Sequence, residues 1–99
     1  MLTKKFFKSK QEAEGTFEFN VSQTDKVQLV AEFNNWQPLD MKYVKKDKVY
    51  RTKVRLPKDK KFHFRYLIND NVWENDHQAD AYIANDIGSD NSVVDTAVI

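Results

Sequence analysis

Two tryptophans, in "FNNWQP" (Phe33–Pro38) and "NVWE" (Asn71–Glu74), are the residues of this sequence best suited to ligand chemistry. An indole offers a broad apolar face and one N–H donor, so each ring either locks a turn or waits outside for something flat to stack on it. Pro38 fixes the chain two residues after Trp36 and favours a displayed ring. For Trp73 the answer depends on strand register. If Asn69, Asp70 and Asn71 form a three-residue hairpin loop, Leu67 pairs with Trp73, and the indole shares a face with His63 and Arg65. A two-residue loop of Asp70 and Asn71 pairs Ile68 with Trp73 instead and buries the ring.

Other chemistries lack the residues they need. His63 and His77 are too few and too scattered for a zinc site or a nucleophilic triad, and read as surface residues. Asp70, Asp76, Asp80, Asp86 and Asp90 lack the spacing and glycine of a calcium loop, and read as turn formers. Glu74 and Asp76 are neighbours in sequence, whereas glycoside hydrolysis sets two acids across a cleft. No catalytic residue, metal or cofactor is therefore expected. With no cysteine, a disulfide, a thiolate site and a thiol nucleophile are all excluded.

The elements that must position these residues follow from composition and periodicity. The 99 residues are expected to form one domain spanning 1–99, and 40% hydrophobic with 31% charged residues describes a folded chain. A formal net charge of +1, with lysines interleaved among carboxylates, gives no field to attract nucleic acid. The basic start "MLTKKFFKSKQ" is followed by no apolar stretch of signal-peptide or membrane-spanning length, so a cytoplasmic location without membrane association is expected.

Period two dominates. "TFEFNV" and "KVQLVAEF" alternate apolar and polar residues as half-buried strands do, with "SQTD" turning between them. "MKYVKK" and "KVYRTKVRL" flank "KD" as a hairpin, and Pro57 ends the second strand. "KFHFRYLI" sets Phe62, Phe64, Tyr66 and Ile68 on one face and His63, Arg65 and Leu67 on the other. "SVVDTAVI" closes the chain as a strand. Between them, Glu74 to Asn91 reads as a long loop with one helical turn around Gln78 to Tyr82, and Tyr82 packs beneath it. Residues 1–12 form either an extended arm or, through Phe6 and Phe7, a cap on one end. The pattern predicts an all-β, antiparallel β-sandwich of about seven strands.

At "FNNW", "FRYLINDNVW" and "DIGSDNSVV", in that order from about Thr16 to the C-terminus, the sequence resembles carbohydrate-binding module family 48. That family includes the isoamylase N-terminal (early-set) domains and the glycogen-binding domain of the AMP-activated protein kinase β subunit. The resemblance implies an immunoglobulin-like sandwich that binds α-1,4-linked glucan such as glycogen, starch or a malto-oligosaccharide. It implies that Trp36 and Trp73 stack on glucose rings, that Arg65 makes a polar contact, and that Ile87, Ser89 and Asn91 add further contacts. This chain departs from the family pattern with Arg for Lys, Ile for Leu and Ser for Thr at the matching positions. Its "NDN" turn is one residue longer and lacks a glycine. The alternative expectation is an adaptor that docks through a sheet edge onto a glycogen-metabolising enzyme or a kinase without binding sugar itself.

Overall fold

The alternation of apolar and charged residues is realised as strand pairing along most of the chain. The computed structural model describes residues 2–8, 11–21, 26–84 and 90–97. One antiparallel sheet runs in the order β1 (Leu2–Phe6), β2 (Glu12–Phe19), β6 (Val49–Pro57), β5 (Lys42–Val44). The other runs β4 (Leu39–Asp40), β3 (Val27–Ala31), β7 (Lys61–Ile68), β10 (Asp90–Asp95), β9 (Ala81–Ala84), and β8 (Val72–Glu74) also pairs with β7. The chain is thus an all-β sandwich of two antiparallel sheets, with ten strands among the described residues. The strands beyond the expected ones are β1, β4 and β9, and of these β4 and β9 are too brief to show a period of two.

Phe17, Phe19, Tyr50 and Leu56 from the first sheet meet Leu29, Phe64, Tyr66 and Val94 from the second, all buried. Phe17 packs edge-on to Phe64 with centroids 5.0 Å apart, and Phe19 lies 4.9 Å from Tyr66. Such aromatic pairs add about 0.5–1.5 kcal/mol each beyond their buried area. Gly15 makes room for this layer, since a Cβ there would come within 3.0 Å of the Phe17 ring.

Where an arm or a cap was expected, residues 2–6 form the edge strand β1, paired with β2 over Leu2↔Phe17 to Phe6↔Ala13. Lys4 turns inward at this edge. Its ammonium donates to Asp80 Oδ2 and to the Asp95 carbonyl, each at 2.8 Å, which ties the first sheet to the second. No helical turn forms at Gln78 to Tyr82. Asp80 N–H donates to the Val93 carbonyl, and Ala81–Ala84 then pairs with β10 as β9. The free edge of β10 offers a whole ladder of hydrogen bonds, which a single isolated helical turn cannot match.

Asp76, expected as a turn former, forms one with Gln78, and it is buried as well. Its carboxylate accepts from the Tyr66 hydroxyl at 2.6 Å and from Gln78 N–H at 2.7 Å, while its own N–H donates to Ser92 Oγ at 2.9 Å. The Ser92 hydroxyl donates to Asn75 Oδ1. This chain of polar groups fastens the segment after β8 to β7 and β10. Among the described residues, no helix is long and apolar enough to cross a membrane.

Candidate functional site

The β7–β8 hairpin decides where Trp73 points. Ile68 pairs with Val72 and Leu67 with Trp73, the register of the three-residue loop. The turn works without glycine because Asn69 (φ 51°) and Asp70 (φ 63°) take the left-handed conformation, which short polar side chains tolerate. Asn71 N–H closes the turn onto the Ile68 carbonyl, and Asn69 exchanges hydrogen bonds with the Lys26 backbone at the start of β3. Trp73 is consequently turned outward, at 47% exposure.

Arg65, two residues before Leu67, occupies the same outer face. Its guanidinium carbon lies 5.5 Å from the centre of the Trp73 ring, a cation–π contact. Its Nε is buried without a hydrogen-bond partner, and among the described residues it makes no ion pair. An open indole with a guanidinium beside it joins an apolar face to a cationic edge, which suits a ligand that has both an apolar face and polar edges.

β3 occupies one edge of β7, so β8 and β10 must follow one another along the other. Asn75 Nδ2 donates to the Asp90 carbonyl and stitches the two together. One pair beyond Ser92↔Phe64, Asn91 lies level with Arg65, and its side-chain amide is 3.1 Å from His63 Nδ1. The structure therefore brings Trp73, Arg65 and Asn91 onto one face. Ile87 and Ser89 lie outside the described residues.

Trp36 stands across β3, in the connection to β4. One turn of 3-10 helix over Glu32–Asn34 ends with Asn35 (φ 59°) in the left-handed region. Asn35 N–H donates to the Glu32 carbonyl and Trp36 N–H to the Ala31 carbonyl at 2.8 Å, a Schellman closure. Asn34 Oδ1 accepts from Ala31 N–H. Both asparagines of "NNW" thus serve the turn. Trp36 itself has φ 60°, an unusual conformation for so bulky a residue, and its ring is 45% exposed.

The two outer faces differ in chemistry. On the first sheet, Arg51 bonds Glu18 Oε2 through Nε at 2.6 Å and Asp47 at 2.8 Å, and Arg55 faces Glu12 and Glu14. The Asp47 and Glu18 carboxylates push the Arg51 guanidinium further above its already high value. Both arginines of that face are therefore matched by carboxylates. All the large apolar side chains left exposed among the described residues (Trp36, Leu39, Val72, Trp73, Tyr82 and Ile83) belong to the second sheet or its connections.

The chain matches no protein-family model and no curated protein.

Three residues on this face were not singled out as site residues from the sequence. His63, expected as an ordinary surface residue, is half-buried and joined to Asn91. Glu32 accepts from His63 N–H at 2.6 Å and finishes the β7 ladder where β3 ends. Ile83 faces outward opposite Asn91. Tyr82 splits its roles: the hydroxyl donates to the Asp76 carbonyl and accepts from Ala79 N–H, holding the loop, while its ring stays 47% exposed. A separate cavity lined by Glu18, Phe19, Asn20, Val49, His77 and Gln78 shares no residue with this face. Among the described residues, no three His, Asp or Glu side chains gather as metal ligands.

Proposed function

We propose that this protein is a non-catalytic, cytoplasmic α-glucan-binding module that holds glycogen, starch-like chains or malto-oligosaccharides against the outer face of its second sheet. One observation carries the reading: an exposed Trp73 with the Arg65 guanidinium in cation–π contact beside it, both on paired strands. A pyranose presents an apolar C–H face and a rim of hydroxyls, which that pair complements. Trp36 supplies a second platform, and Asn91 an amide at the rim.

Stacking about 50 Å² of apolar surface at about 25 cal/mol per Å² contributes about 1 kcal/mol per ring. A few hydrogen bonds of about 1 kcal/mol each, set against an association cost of at least roughly 4 kcal/mol, give dissociation constants of ~10 μM to ~1 mM. A branched polymer compensates by offering many chains. Titration with maltoheptaose, followed by tryptophan fluorescence and amide shifts, tests the reading. Unchanged spectra at millimolar sugar would sink it.

A second reading is favoured by the β9 edge, where Ala81–Ala84 are all exposed. An open edge strand can accept a strand from a protein partner, here a glycogen-metabolising enzyme or kinase. Capture of such a partner by a domain indifferent to sugars would select this alternative.

A further inference from the structure

The glucan reading accounts for Trp36, Trp73, Arg65 and Asn91 but leaves Ile83 without a role. An isoleucine at 43% exposure on an edge strand needs a reason, because edges are ordinarily blunted by charge. The register supplies a position for it. β9 pairs with β10 at Ile83↔Asn91, and paired residues share a face. Asn91 in turn lies level with Arg65 on β7, while Trp73 is paired with Leu67, two residues further along that strand. Ile83, Asn91 and Arg65 therefore form one row across β9, β10 and β7, with Trp73 beside it.

Two residues along a strand span about 7 Å and one strand spacing about 5 Å, so the Trp73 and Ile83 backbones are separated by roughly 8 Å. That exceeds the width of one pyranose ring and falls within the reach of a short oligosaccharide. Resting on the proposed glucan binding, we propose that Ile83 is a further, chain-length-determining contact, closing a strip that runs from Trp73 past Arg65 and Asn91. A sugar that covers only Trp73 gains nothing from Ile83. A longer chain lays the C–H face of a later ring on it.

The test compares maltose with maltoheptaose on the wild-type domain and on Ile83→Ser and Ile83→Trp, by calorimetry or amide-shift titration, with folding verified by circular dichroism. The wild type should prefer maltoheptaose severalfold. Ile83→Ser should weaken maltoheptaose about fivefold and leave maltose unchanged, and Ile83→Trp should strengthen maltoheptaose alone. A wild type that binds both sugars, with Ile83→Ser altering neither or weakening both equally, overturns the role of Ile83 while leaving glucan binding intact. A wild type that binds neither sugar overturns the underlying reading as well.

Discussion

Trp73 and Arg65 meet because of a parity: both sit an even number of residues from Leu67 or from its cross-strand partner. With the ring 47% exposed, Trp73→Ala should leave the denaturation midpoint nearly unchanged yet weaken maltoheptaose about five- to tenfold, as calorimetry on the folded variant would register. A large loss of stability instead would mean that the ring is structural. Tyr66 is the opposite kind of residue. Burial first, and then the Asp76 carboxylate, raise its hydroxyl well above the usual value of 10.0, so the folded state holds the proton more tightly than the unfolded state. Its contribution is complete below that ordinary value and is lost as pH climbs above it. Tyr66→Phe should cost about 1–3 kcal/mol at neutral pH by taking a donor from a buried carboxylate, and should flatten the loss of stability above pH 10 in urea titrations. An unchanged alkaline slope would assign that loss to other groups. The outward Trp73 is legible in the sequence once a loop length is chosen. Burial of Asp76 is not, because its partners Tyr66 and Ser92 reach it only after β7 and β10 have paired.

Among the elements, the β7–β8 hairpin sets the site. Asn69 occupies the left-handed region and accepts from Lys26 N–H, so a β-branched residue there loses both the conformation and the bond. Asn69→Val should destabilise by about 1–3 kcal/mol in chemical denaturation, whereas Asn69→Gly should fall within about 1 kcal/mol of wild type. Equal costs for the two would remove backbone geometry as the reason for asparagine. In β2, Gly15→Ala forces the buried Phe17 ring to move and should cost about 1–3 kcal/mol by thermal melt. A stabilised variant would mean that the aromatic layer yields easily. The long strands β2, β6 and β7 could be read from alternation because each repeats its pattern several times. β8, with three residues, was placed by the loop length that sets its register with β7, whereas β4, with two, could not be read, since such a segment extends only because a neighbouring edge accepts it. The same reason accounts for β9 standing where a helical turn was expected.

For the molecule as a whole, Lys4 joins the first strand of one sheet to the last strands of the other. Its ammonium and the Asp80 carboxylate are both largely shielded, so the bond resists screening better than the surface pairs of Arg55 do. Lys4→Met should lower stability by about 1 kcal/mol and speed amide exchange in β1 ahead of the rest of the domain. Uniform exchange would show that β1 is held by its ladder to β2 alone. The sandwich itself was legible from strand spacing and turn residues. The division into one face with paired arginines and carboxylates and another with exposed indoles was not, because it depends on which strands become neighbours. The left-handed backbone at Trp36 carries a consequence of its own. Glycine or asparagine would relieve that conformation, worth about 1–2 kcal/mol, while deleting an indole. Directed evolution for heat resistance alone should therefore drift toward those residues at position 36, and a library screened simultaneously for sugar retention should hold tryptophan there.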